Sequence, residues 1–286
     1  MPDLGKDKKS SFLVKRKINV KMLKCKNGVI LILFAGIIFA GLACQKTTTA
    51  PSVSGVAAFT VVNAIPNSVP VISVINTSSA IMYFSDAIQV DIGYGGFWEY
   101  TPIGGNDTVY VVQTNVDTLG IGPKAPSQMF YGILPLKKGG IYSLFLCGAD
   151  TTSPDYLFTT DALPYHSPAD SIMGIRFVNL SAGSNPISIN LEGSPSGSEV
   201  GNLPYKSITG FKNYICNSAS NNYLFVVRDV ASGDSLTQFV LNGNNGYGFT
   251  DPNNGYLLTF RNVTIAVYGS ESNINVPLST TLIDNF

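Results

Sequence analysis

Histidine occurs once in the 286 residues, at His166, and this restricts the chemistry open to the chain. A nucleophilic relay needs a serine, an imidazole and a carboxylate that orients the ring. Asp161 and Asp170 lie near His166 in sequence, but no Gly-Xaa-Ser-Xaa-Gly turn follows Cys44. His166 is therefore expected to be a solvent-exposed side chain in a linker. Zinc needs converging Cys and His, and Cys147, Cys216 and His166 stand at no ligand spacing. Calcium needs clustered oxygens. The richest stretch for it, Asn242–Asn254, holds one carboxylate, Asp251, and is expected to be a polar turn. Glycoside hydrolysis needs two carboxylates across a cleft, whereas the acids after Cys44 are scattered without local pairing. No catalytic, cofactor-binding or metal-ligating residue is assigned, and no cofactor is expected.

Three further groups have chemical character. Phe97-Trp98-Glu99-Tyr100 holds the only Trp. Such rings can stack on sugars or peptides, although strands of a sandwich bury large rings and a core position is the expectation. Cys147 and Cys216 are expected to be two buried free thiols rather than a disulfide. Asp-Ser/Thr-apolar (or Thr) triplets occur at Asp107-Thr108-Val109, Asp117-Thr118-Leu119, Asp150-Thr151-Thr152, Asp170-Ser171-Ile172 and Asp234-Ser235-Leu236. They are similar to the O-glycosylation signal of Bacteroidota-type secreted proteins.

Charge divides the chain. Lys+Arg and Asp+Glu are 18 each, but residues 1–43 carry nine Lys/Arg against two Asp and the remainder nine against sixteen, giving +7 and −7. The acidic body has no basic field for a phosphate backbone, so no nucleic-acid partner is expected. The leader places Lys15, Arg16, Lys17, Lys21, Lys24 and Lys26 before an uncharged run, Gly28–Ala43, and small residues before Cys44. That run is short of the roughly 20 residues of a membrane-spanning helix and has the order of a cleaved signal. Met22 is an alternative start that gives a compact leader. Leu42-Ala43-Cys44 resembles the lipobox of bacterial lipoproteins, with Leu one place nearer the Cys than usual. The resemblance implies lipidation of Cys44 and a membrane partner reached through that lipid. Acyl chains contribute about 0.8 kcal/mol per buried methylene, so two or three anchor firmly. The polar stretch Gln45–Ser54 reads as a tether. The acids that usually follow the Cys in surface-exported relatives are missing, which leaves both a periplasmic and a surface orientation open.

Behind these residues stands a β pattern. Runs of Val, Ile, Tyr, Phe and Thr, bounded by Gly, Pro, Asn and Ser, predict strands at 59–65, 72–75, 108–113, 141–147, 174–180, 222–228, 256–260 and 264–268. Asn-Gly pairs at 242, 245 and 254 suit turns. The pattern repeats: Phe59–Asn63 matches Ile175–Asn179, Ile72–Val74 matches Ile187–Ile189, Val109–Val112 matches Leu224–Val227, and Gly140–Phe145 matches Gly255–Phe260. The offsets are 115 or 116, the length of one immunoglobulin-like sandwich. Expected organisation is a signal peptide (1–43), a lipidated tether (44–56), one β-sandwich over 57–165 and a second over 170–286, with 163–168 as linker.

A strand ending in Val-Asn, a Pro-led second strand, a Tyr-Gly turn (Tyr94-Gly95-Gly96) and a late Gly-Xaa-Tyr strand resemble the domain of unknown function 4397 family. Its members are Bacteroidota-type lipoproteins with tandem immunoglobulin-like repeats. Gly174–Gly193 carries the resemblance best. It implies an all-β fold and no known activity. The expected role is a non-enzymatic outer-membrane lipoprotein with a binding or structural function and a protein or glycan ligand. The alternative is a carbohydrate-active or calcium-dependent envelope enzyme.

Overall fold

Sixteen strands and no helix make up residues 55–75, 92–102, 105–113, 127–167, 169–217, 222–242 and 258–285, which are the residues described by a computed structural model of the chain. The strands of the first half are β1 (Ala58–Asn63), β2 (Val71–Ile75), β3 (Phe97–Tyr100), β4 (Gly105–Gln113), β5 (Ser127–Leu136), β6 (Ile141–Gly148) and β7 (Pro154–Thr160). Those of the second are β8 (Ile172–Asn179), β9 (Ile187–Leu191), β10 (Val200–Leu203), β11 (Ser207–Ile208), β12 (Lys212–Ile215), β13 (Asn222–Asp229), β14 (Ser235–Asn242), β15 (Asn262–Tyr268) and β16 (Ser279–Asn285). Each half is a β-sandwich, as the sequence pattern predicts. In the first, sheet β3-β1-β6-β7 faces sheet β2-β4-β5; in the second, β11-β8-β15-β16, with β12 also on β8, faces β10-β9-β13-β14.

Inside each half the apolar residues alternate as a two-sheet core requires. Phe59, Val61, Val109, Val111, Leu144 and Leu146 fill the first core; Ile175, Phe177, Ile189, Phe225, Val227, Val263 and Ile265 fill the second. Burying a Val, Leu, Ile or Phe side chain contributes about 1.5–3 kcal/mol. At the centre of each first-named sheet two strands run parallel, β1 beside β6 and β8 beside β15. These strands are buried on both faces (β1 from Phe59 onward, β6 from Tyr142 onward), which explains their largely apolar runs, Phe59–Val62 broken only by Thr60 and Leu144–Cys147 unbroken. Their outer faces meet in a third cluster of Val62, Ala64, Phe145 and Cys147 with Val178, Leu180, Ala266 and Ile283. The halves are thus packed sheet against sheet in one compact unit, Ser52–Phe286.

The register corrects the repeat proposed from sequence. Val71 lies opposite Gln113 and Ile187 opposite Asp229, so both strand pairs correspond at an offset of 116, not 115. A one-residue slip would turn inward side chains outward: Val109 is in the first core, and its counterpart in the second is Phe225 rather than Leu224. The match of Gly140–Phe145 to Gly255–Phe260 also fails. Residues 258–260 are loop and turn, 255–257 lie outside the described residues, and the true partner of β6 is β15. Ala58 pairs with Ile141 and Gly174 with Asn262, an offset of 121, because the second half has a longer connection before its last hairpin.

Equivalent asparagines explain the Val-Asn ending of both first strands. Asn63 accepts a hydrogen bond from the N–H of Ile65 at 3.2 Å, and its amide donates to the Ile92 carbonyl at 3.0 Å. Asn179 accepts from Ser181 N–H and donates to the Leu203 carbonyl, both at 3.0 Å. Each amide holds the corner where the chain leaves the sheet, where a buried backbone group without a partner would be costly.

Candidate functional site

The polar side chains with most chemical potential converge at one end of the interface between the halves. Asp161 follows β7, Arg176 is on β8, and their side chains are almost wholly buried. Arg176 Nη1 donates to Asp161 Oδ1 at 2.8 Å. Ser143 Oγ donates to Asp161 Oδ2 at 2.6 Å and Thr159 Oγ1 to Oδ1 at 2.8 Å. Arg176 Nε donates to Thr264 Oγ1 at 2.8 Å, and that hydroxyl donates to Asn285 Oδ1 at 2.6 Å. The guanidinium carbon also stands 4.8 Å from the centre of the Phe211 ring. Arg176 Nη2, Asn285 Nδ2 and Thr60 Oγ1 are buried here without a hydrogen-bond partner among the described residues.

His166 is a correction. It is 5% exposed, not a solvent-facing linker residue. Its Nε2 lies 2.8 Å from Asn262 Oδ1, and Asn262 Nδ2 donates to the Pro164 carbonyl at 3.0 Å. The amide bonded to Pro164 leaves Oδ1 as acceptor, so Nε2 carries the proton in this contact. Gly174 is required beneath it, since a Cβ there would lie 2.2 Å from Asn262 Oδ1. Residues 161–167 have no regular secondary structure, yet Asp161 and His166 anchor them at both ends. The ingredients of a relay are present in the fold, but Asp161 is bonded to an arginine and His166 to an asparagine.

Two smaller polar groups lie outside this cluster, the first of them between the halves. Tyr205 donates to Cys147 Sγ at 3.2 Å, and Lys206 Nζ pairs with Asp155 at 2.7 Å. Burial pushes the Cys147 thiol up to about 11, and the Tyr205 hydrogen bond offsets only part of that; the thiolate needed for reactivity is scarce at neutral pH. Cys147 and Cys216 are both buried and free, as expected. In the second half, Glu199 accepts from Tyr214 and, at 2.7 Å, from Lys212. Burial alone would raise its pKa, but these donors outweigh it and hold the carboxyl below its ordinary value.

Outward-facing features lie elsewhere. The expected core position of the Phe97–Tyr100 patch is wrong for its tryptophan: Trp98 is 48% exposed because β3 is the edge of its sheet. On β5 the alternation leaves Tyr131 and Ile133 exposed, and Tyr131 packs on Tyr110 with ring centres 4.5 Å apart. An open groove of about 340 Å³ is lined by Leu191, Glu192, Tyr223, Leu224 and Val240. Among the described residues no group of three or more His, Cys, Asp or Glu is placed to hold a metal ion. Cys44, the Asp117 triplet and residues 243–254 of the polar loop lie outside the described residues. Of the other triplets, the one at Asp150 shapes the β6–β7 turn, where the Asp150 carboxylate accepts from the N–H groups of Thr152 and Ser153.

No family model matches the chain, and no curated protein matches it in sequence. Among solved structures it is similar to the tip fimbrial protein Mfa3 from Porphyromonas gingivalis with C-terminal truncation, at 9% identity over 80% of this chain and 99% of that one, TM-score 0.21. A second is a "putative cell adhesion protein" from Bacteroides uniformis ATCC 8492, at 9% identity over 80% and 99% of the two chains, TM-score 0.22. At these TM-scores neither likeness bears on the role of the chain.

Proposed function

We propose that the chain is a lipid-anchored, non-enzymatic protein of the bacterial outer membrane, serving as a binding or structural element. One observation carries the reading: Asp161, Arg176, Ser143 and His166, the side chains best suited to chemistry, are buried in contacts that hold strands and halves together. Support also comes from the leader, whose basic segment, apolar run and Cys44 have the order of a lipoprotein signal. The exposed Trp98 and the Tyr131–Ile133 segment offer rigid rings to a protein or glycan.

Cells expressing the chain and a Cys44→Ala variant, fed an alkyne-tagged fatty acid, test the anchor. Expected is label on the parent only, with the variant leaving the membrane fraction. Equal membrane retention of the unlabelled variant would overturn the proposal.

A further inference from the structure

The interface between the halves has an approximate two-fold symmetry, so the residues at equivalent positions can be compared. Strands β1 and β8 correspond at an offset of 116 and β6 and β15 at 121. For β7 and β16 the offset is 124, since Tyr142 pairs with Thr160 and Val263 with Asp284. Contacts recur under this relation. Tyr94 of the first half packs against Tyr268 of the second at 5.0 Å, and Tyr205 of the second reaches Cys147 of the first. Tyr205 is the equivalent of Tyr94 at an offset of 111, the one that relates Ile92 to Leu203, and Cys147 is the equivalent of Tyr268. Even the turn is shared, with Gly95 at φ 78° and Lys206 at φ 59°.

The buried polar end follows the same symmetry in position and breaks it in charge. Ser143 donating to Asp161 is matched by Thr264 donating to Asn285, each at 2.6 Å. Arg176 crosses to Asp161; the equivalent crossing would join Thr60 to Asn285, and both have a buried polar atom without a partner among the described residues. Each half therefore presents one related apolar face to the other, but the buried charged pair occurs once; the half-exposed Lys206–Asp155 pair also joins the halves and likewise has no counterpart, its equivalents being Gly95 and Ser279.

We propose that Asp161 and Arg176 are the specificity determinants of this interface, making it accept a first half against a second half and reject like against like. Apolar contact is non-directional; Val62 and Ala64 could pack on a second copy of themselves nearly as well as on Val178 and Leu180. Like pairing between two copies of the chain would place Asp161 against Thr60, or Arg176 against Asn285. Either leaves a buried charge without a counter-charge, which is strongly disfavoured. Discrimination of this kind comes from what the wrong partner leaves unpaired.

Two variants restore the symmetry of the buried end and leave the Lys206–Asp155 pair as it is. Asp161→Asn with Arg176→Thr gives both halves the neutral pair; Thr60→Arg with Asn285→Asp gives both the charged pair. The full-length chain and each variant are unfolded in urea and refolded in mild detergent, using equal amounts of isotopically light and heavy protein. Light scattering and amine-specific cross-linking with mass spectrometry follow. Lys137 and Lys138 mark the first half, Lys206 and Lys212 the second. The parent is expected to refold as a monomer with contacts between unlike halves only. At least one symmetric variant is expected to form dimers or larger species in which heavy–light cross-links join like halves. If both refold as monomers with the parent's cross-links, the proposal is overturned. It is also overturned if neither refolds, because the pair is then a requirement of folding and not of pairing choice.

Discussion

At position 60 the first half has a threonine whose hydroxyl finds no partner among the described residues, and at the equivalent position 176 the second half has an arginine bonded to Asp161 and Thr264. The backbone around them is the same: a central strand, parallel to its neighbour and buried on both faces. Fold therefore does not dictate the residue here. What differs is the role in the interface, and the largest expected effect tests it. Arg176→Met, which leaves Asp161 as an uncompensated buried charge, should lower unfolding stability by about 3–5 kcal/mol. Thr60→Val, at the equivalent place, should change it by less than about 1 kcal/mol or raise it, since the lost hydroxyl had no partner. Urea denaturation followed by tryptophan fluorescence measures both. Comparable losses would show that position, not charge pairing, sets the energetics.

Where the halves agree, equal losses are expected. Asn63→Ala and Asn179→Ala each remove an amide that caps a buried carbonyl and an N–H, so each should cost about 1–3 kcal/mol. A difference of more than about 1 kcal/mol between them, read from the same denaturation curves, would mean that one corner has support the other lacks.

This division follows what the sequence made legible. Strand positions and the all-β fold were readable because Val, Ile, Phe and Tyr cluster between Gly, Pro and Asn. The repeat was readable where burial alone decides, as in Phe59–Asn63 and Ile175–Asn179. It slipped by one residue at Ile72 and Val109, because these strands are apolar on both faces and alternation cannot set the register. Gly255–Phe260 attracted a false match because composition resembled β6, while the true partner, β15, begins at Asn262. Burial of His166 was invisible, since it depends on Asn262, 96 residues away. So was the equivalence of Thr60 with Arg176 and of Asp161 with Asn285, whose side chains share no chemistry. The Tyr-Gly turn at Tyr94 hid its partner in the same way, because Lys206 stands where glycine would be expected.

That turn gives a smaller test. Gly95 has φ 78°, and a Cβ there would stand 2.3 Å from the Tyr268 hydroxyl, so Gly95→Ala should be destabilising by about 1–3 kcal/mol. Lys206→Gly relieves a left-handed conformation worth about 1–2 kcal/mol and loses a half-exposed ion pair worth about 0–1 kcal/mol. The difference is a net gain of about 0–2 kcal/mol. Thermal unfolding of both variants checks the contrast; a marked loss in Lys206→Gly would mean that the Asp155 pair matters more than a surface bridge ordinarily does.

The smallest expected effect concerns acid, and its sign differs between two carboxyl groups. Glu199 belongs wholly to the second half and is held below its ordinary pKa: burial opposes this, but the Lys212 and Tyr214 hydrogen bonds outweigh it. A carboxyl depressed in the folded state contributes stability that is present above its unfolded pKa, about 4.3, and is lost as pH falls through the folded value. Asp284, on the last strand, is raised, chiefly by burial and against the pull of Arg261. Its ionised form opposes folding at neutral pH, and that opposition is relieved as pH falls through the raised value. Glu199→Gln should therefore flatten the acid side of the stability profile, while Asp284→Asn should steepen it by removing a group whose protonation favours the fold. Urea midpoints measured from pH 7 down to about pH 3 separate the two. If both substitutions shift the profile in one direction, the opposed environments inferred for these carboxyl groups are wrong.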